Sequence, residues 1–261
     1  MTLVWTGLLL LAAAAAGAYF ARTARARIRS LRSTETLTVR ELRDLHSAAV
    51  GAVGEGYFRQ QCTVVGTARP HKNGVLRSEL KKVACVWHRH KVTRKYEETR
   101  RDGQGRTRRE THSEVASRYS SPTAFFIQDD TGKLVVRPGD ADFTGAEKVL
   151  DRFRPYRSRG RGAELDLGPF TVRSHGSGTI GYKQEEWIVR PGRRISVHGE
   201  ASDADGRLSL GAPADGGVFI MAAKPQEEVV RGERRKLLGF GLGAAAAALA
   251  GLGVLVGALL S

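Results

Sequence analysis

LLGFGLGAAAAALAGLGVLVGALLS, residues 237–261, carries no charged side chain. At about 1.5 Å rise per residue, such a run crosses a hydrocarbon core of about 30 Å as a helix, the form that satisfies its own backbone in lipid. A second uncharged run, LVWTGLLLLAAAAAGAYFA, fills residues 3–21. Met1-Thr2 lacks the basic start of a signal peptide, and Arg22, Arg25, Arg27, Arg29 and Arg32 follow the run instead, so it reads as a second anchor. Two membrane spans enclose everything polar, which excludes a freely diffusing enzyme. Arg231, Arg234, Arg235 and Lys236 precede the C-terminal run, so both basic flanks point into the central region. Positive flanks stay cytoplasmic. The expected topology puts the central domain in the cytoplasm and both termini outside. Gly239 with Gly243, and Gly253 with Gly257, stand at a small-xxx-small spacing, which permits packing of the two spans or a dimer through them.

The net charge of +15 belongs to the central region and gathers in residues 22–32, 88–109 and 152–161. Arginine outnumbers lysine 32 to 10, which with the alanine and glycine content points to a bacterial source, and hence to an inner-membrane location. Near a bilayer such clusters attract anionic headgroups at about 1 kcal/mol per residue. They attract nucleic acid phosphates by the same charge. The cysteines are Cys62 and Cys85. A cytoplasmic domain keeps them as thiols, and two cysteines cannot build a structural zinc site by themselves.

The organisation follows from these boundaries: a span over 1–21, a basic flank and helical linker over 22–61, a β-rich domain over 62–223, a basic linker over 224–236 and a span over 237–261. Within the linker, Thr38 is an N-cap with Glu41 three residues on, which predicts a helix over 39–50. Leu42, Leu45 and Ala49 fall on one face, as for a spacer lying on the domain or the membrane surface. Strands are predicted over 62–68 and 82–92, and the strongly charged stretch 94–113, with Asp102-Gly103 and Gln104-Gly105 at its centre, reads as an exposed hairpin tip between two strands. Residues 123–128 and 134–137 flank Asp129-Asp130-Thr131-Gly132 as a hairpin. Further strands fall at 187–189, 194–198 and 217–221, with turns at Pro191-Gly192 and over 203–206, and an Arg/Gly/Ser loop at 157–162. Short strands spaced by such turns predict one mainly-β domain, barrel-like or sandwich-like.

An ordered set of these residues resembles the GIDE or beside-a-membrane domain of the mitochondrial ubiquitin-ligase family known as MULAN. The set comprises Val65-Gly66, Cys85-Val86-Trp87, Phe125 to Val136 with Pro138, Glu185 to Ile188, Pro191-Gly192 and Ile195 to Gly199. The resemblance covers roughly 62–223, and the flanking spans match the family's layout. It implies ubiquitin-protein transferase activity and a role in organelle organisation. Eukaryotic members place a RING with two zinc ions after the second span. The sequence stops at Ser261, so the expectation is a domain without a RING, non-catalytic by itself and needing no cofactor.

The best binding candidate is the basic ribbon, with Arg89, Lys91, Arg94, Lys95, Arg100, Arg101, Arg106, Arg108 and Arg109. Trp87 and Tyr96 interleave it as aromatic contacts. Such a ribbon suits anionic lipid or a protein partner, and a barrel of the OB type would favour single-stranded nucleic acid. His88 and His90 share one strand face at a spacing that can chelate a metal, but Arg89 and Lys91 flank them and no further ligand is near, so no metal is expected. Asp129 and Asp130 point to opposite sides as strand-turn neighbours, which suits turn formation rather than paired acid–base work. Cys85 lies among Val83, Val86 and Trp87 as a core residue does. No P-loop, dinucleotide fingerprint or nucleophile elbow occurs. A catalytic residue is therefore not assigned.

Overall fold

A computed structural model describes residues 2–101, 107–156, 164–166, 171–173, 178–223 and 226–260. The chain divides into two compact units, Met1–Thr36 with Lys224–Ser261, and Leu37–Ala223. Its described helices are α1 (Thr2–Ser33), α2 (Val39–Val53) and α3 (Gln226–Leu260).

In the first unit α1 and α3 pack antiparallel, with Phe20 against Phe240 at 5.3 Å between ring centres. Gly17 makes the close approach: a Cβ there would lie 3.0 Å from the Cβ of Ala244. Of the glycines at small-xxx-small spacing, Gly239, Gly243 and Gly253 meet nothing within 4 Å and take no part in this pairing. Leu237–Val254 is long and apolar enough to cross a membrane, whereas the apolar stretch of α1, Leu8–Thr23, is shorter.

The second unit is built on β-strands. In chain order these are β1 (Arg59–Arg69), β2 (Leu76–Arg77), β3 (Ala84–Cys85), β4 (Trp87–Arg101), β5 (Thr107–Ser120), β6 (Phe125–Gln128), β7 (Lys133–Val136), β8 (Phe143–Thr144), β9 (Glu147–Pro155), β10 (Glu164–Asp166), β11 (Thr171–Arg173), β12 (Thr179–Val189), β13 (Arg194–Ser202), β14 (Ser209–Gly211) and β15 (Ile220–Ala222). β1, β6, β7, β14 and β13 pair in that order, and β13 returns to β1, closing a five-stranded barrel. Numbered by chain order, the barrel strands run 1-2-3-5-4-1. β7 and β14 are parallel, and the other barrel pairs are antiparallel. This is the connectivity of an OB barrel.

Period-2 alternation builds the barrel core. Cys62, Val64 and Ala68 of β1 point inward with Phe125, Ile127, Leu134, Val136, Ile195, Val197, Ala201 and Leu210. Each large aliphatic or aromatic side chain so buried contributes about 1.5–3 kcal/mol. Closure turns on β1, whose Thr67 pairs with Arg194 on one side and Gln128 on the other. Gly66 sits at that crossover, where a Cβ would lie 2.5 Å from the carbonyl oxygen of Gln128.

Two excursions from the barrel, between β1 and β6 and between β7 and β13, supply a second, four-stranded sheet in the order β5-β4-β12-β9. The strand expected over 82–92 is broken after Cys85, and β4 runs on to Arg101. β2, β8, β9, β10, β11 and β14 have no counterpart in the expected set of strands.

Helix α2 is docked on the barrel. Its capping box forms as expected, with Glu41 Oε2 accepting from the Thr38 backbone N–H at 2.7 Å. The β6–β7 turn caps it a second time: the Val39 N–H donates to Asp129 Oδ2 at 2.8 Å, and the Arg40 N–H to Thr131 Oγ1 at 3.0 Å. Val39 and Leu42 are fully buried, but Leu45 is 45% exposed, so the buried face is rotated from the expected one. Behind the helix, Asp203 accepts from the backbone N–H groups of Gly56 and Phe58 and lies 3.0 Å from His46 Nε2.

Gly66→Ala is expected to cost about 1–3 kcal/mol, as overpacking against a backbone carbonyl does. Denaturant unfolding of the Leu37–Ala223 unit measures it, and an unchanged midpoint would show that closure does not depend on this contact.

Candidate functional site

β4 and β5 form the predicted ribbon, registered from Arg89 opposite Ser120 to Arg101 opposite Thr107. β12 accompanies β4 only as far as Tyr96. Beyond that, among the described residues, β4 and β5 continue as a two-stranded arm. Arg106 and the tip at 102–105 lie outside the described residues, as do the side chains of Arg100 and Arg101.

The cations do not form one face. Alternation puts Arg89, Lys91 and Lys95 on one side of β4 and Arg94 on the other. At the base, Arg89, Arg94 and Lys95 are held internally. Arg89 bonds Asp142 at 2.6 Å and lies 5.3 Å from the Trp187 ring centre. Arg94 pairs with Glu114 at 2.8 Å and stands over Tyr96 at 4.9 Å, while Lys95 stands over Phe153 at 5.8 Å. At the arm, Arg108 is 81% exposed, with Glu110 no nearer than 3.7 Å. Arg109 is also exposed.

One of the two aromatic assignments needs correcting. Trp87 is 1% exposed and packs in the barrel core against Phe143. Where the broken strand resumes, Val86 and Trp87 face that core with Val189, so Trp87 cannot stack on a ligand. Tyr96 is half-buried between Arg94 and His112.

His88 and His90 do share a face, as the spacing predicts, but they are enclosed within the sheet beside Tyr119. His90 Nε2 lies 3.1 Å from Ser117 Oγ and Nδ1 lies 2.8 Å from Glu79 Oε2. Fully buried Glu186 accepts from Ser78 Oγ and from the backbone N–H groups of Leu80 and Lys81, locking the loop between β2 and β3 under β12. Burial pushes the His90 imidazole down to about 4, and burial also lowers His88. Burial, then the Glu186 charge, raises the Glu79 carboxyl. The contact therefore joins a neutral imidazole to a carboxyl group and is not an ion pair. Among the described residues, no three His, Cys, Asp or Glu side chains converge to hold a metal. Cys62 and Cys85 are free buried thiols, which burial pushes up to about 11 and about 12. Neither is a nucleophile at neutral pH.

Asp129 serves structure. Its Oδ1 accepts from the N–H groups of Thr131 and Gly132 while Oδ2 caps α2. Burial opposes ionisation, but these bonds hold the carboxyl below its usual range.

A second basic surface has no counterpart among the sequence expectations. On the outward side of β6 and β7, Arg43, Lys72, Lys133 and Arg207 surround one hollow. They come from four separate segments, so no spacing links them in the sequence.

The β-domain is thus an OB-type barrel carrying an inserted basic ribbon. The family model for GIDE, described as E3 ubiquitin ligase, matches residues 95–256, from within β4 through the apolar part of α3. The chain belongs to the GIDE family. Comparison with curated proteins and with solved structures gives no match.

His88, His90 and His198 are all pushed down by burial, so unfolding lets each take a proton at its ordinary value near 6.5. Between that value and about 4 the unfolded chain binds more protons, and stability rises with pH. Acidification from pH 7 to pH 5 is expected to lower the melting temperature. His90→Gln is expected to flatten the slope by up to about 1.4 kcal/mol per pH unit. An identical slope in wild type and variant would place the His90 proton elsewhere.

Proposed function

We propose that this chain is a non-catalytic docking module of the GIDE family, held at a bacterial inner membrane by two spans with its β-domain in the cytoplasm. The arm of β4 and β5 would dock anionic headgroups or an acidic protein partner. The observation that carries this reading is the arm's register. Arg100 stands directly opposite Arg108, and Arg109 opposite Thr99. Like charges across a strand pair destabilise one another, and a bound anion removes that cost. At the base of the ribbon, Arg89 and Arg94 already hold Asp142 and Glu114 at 2.6 and 2.8 Å.

Membrane association is supported by the apolar Leu237–Val254 segment and by the family. The second span and the orientation rest on the uncharged 3–21 run and on the basic flanks.

A second reading, ubiquitin-protein transfer as its family's description states, is favoured by the family match. The zinc-binding RING such transfer uses would come from outside the described residues. Zinc retained by the chain or by a co-purifying partner from native membranes, together with ubiquitin transfer in vitro, would favour this reading over the first.

The Leu37–Ala223 unit is expected to sediment with vesicles in proportion to their phosphatidylglycerol content, and less so as salt rises. Replacing Arg108 and Arg109 by alanine should cost about 2 kcal/mol of that binding, at about 1 kcal/mol per residue. Binding indifferent to lipid charge would refute the headgroup version. For orientation, protease should cut the arm in inverted vesicles only; cleavage confined to right-side-out vesicles would reverse the topology.

A further inference from the structure

The hollow beside α2 has a volume of about 600 Å³ and adjoins a second of about 400 Å³, with His71, Val135, Arg207 and Leu208 lining both. Its floor is the outward side of β6 and β7, with Phe126 and Val135. One wall is the segment after β1, with His71 and Lys72; the other is the segment between β13 and β14, with Arg207 and Leu208. In barrel order these are the face of strands two and three and the loops one–two and four–five, the surface on which OB barrels take oligonucleotides and oligosaccharides. Fold alone does not choose between those ligands. The side chains do.

Arg43, Lys72, Lys133 and Arg207 all line the first hollow, and no carboxylate does. Among the described residues none of the four has an ion-pair partner, in contrast to Arg89 and Arg94 at the ribbon base. The nearby Asp205 is taken by Arg137. Arg43 is oriented by donating to the Lys133 carbonyl at 2.7 Å. A neutral sugar has no use for four uncompensated cations. Between them lies a flat stack, His71 on Phe126, with ring centres 5.1 Å apart and planes 17° from parallel. Cations around an aromatic platform recognise phosphates joined to planar bases.

We propose that this groove binds nucleotides, with a base laid on the His71–Phe126 stack and phosphate held by Arg43, Lys72, Lys133 and Arg207. The paired hollows give room for more than one nucleotide unit, so the ligand is a short single strand or a free nucleotide of the same chemistry. The site is separate from the β4–β5 arm, and it supplies the aromatic contact that buried Trp87 cannot.

The test uses the full chain in detergent and a fluorescein-labelled oligothymidylate, read by anisotropy, with ATP as the free-nucleotide competitor. Lys133 and Arg207 are exposed, so their joint replacement by alanine leaves the core intact. That variant should weaken oligothymidylate binding at least tenfold. It should also shrink the slope of log affinity against log salt by about 0.7 for each phosphate the groove no longer neutralises. Phe126→Leu keeps an apolar side chain but removes the ring, and should weaken binding with no change in that slope. Displacement by ATP at micromolar concentration would identify the free nucleotide as the source; no displacement would identify the strand. Three results would overturn the proposal: no binding of either probe, binding unchanged in the groove variants, or binding abolished only by Arg108→Ala with Arg109→Ala.

Discussion

The β-domain depends on a single strand being paired along both edges. β1 gives most of its length to β13 and its last residues to β6, and only because it does both is the sheet a barrel and not an open ribbon. Gly66 permits the change of partner at a place where any side chain would meet a carbonyl. Everything else is hung on that closure. The two excursions that build the four-stranded sheet leave from barrel strands. The turns that seat α2, with Asp129 and Asp203 at their centres, join consecutive barrel strands or follow β13. A helix tied down by two buried or half-buried carboxylates cannot drift from the surface it helps to shape.

What was legible in the sequence was local. The hairpin around Asp129 announced itself through an acidic–glycine turn between apolar runs, and the α2 start through Thr38 and Glu41. The mainly-β character followed from turn spacing. What was not legible was long-range. β9 reads EKVLDRFRP and carries no clean alternation, because it lies at the edge of the second sheet. β14 is three residues long and is recognisable only by its partners. Trp87 looked like a ribbon residue because its neighbours are basic, but the break after Cys85 turns it into the barrel core. On α2, Leu45 cedes its expected place to His46, whose bond to Asp203 spans 157 positions of chain.

The two basic surfaces differ in the same way. A charge run such as 88–109 is visible in any sequence, yet part of it is consumed by its own carboxylates and rings. The groove cations stand at positions 43, 72, 133 and 207, each unremarkable alone, and only barrel closure brings them together. Sequence charge density and free charge are therefore different quantities in this protein, and the second requires the pairing map.

The long reach between β1 and β13 also has a temporal consequence. Arg59 finds Ser202 only after more than half of the chain has been synthesised, whereas β4 and β5 are neighbours in sequence and can pair as soon as both emerge. Local contacts form ahead of distant ones because their loops cost less to close. During synthesis the charged hairpin would thus precede the barrel, and β1 would wait with both edges bare. An unpaired strand edge is a template for the wrong partner. β6 can cover the last residues of one edge early, but the rest of β1 stays open until β13 emerges.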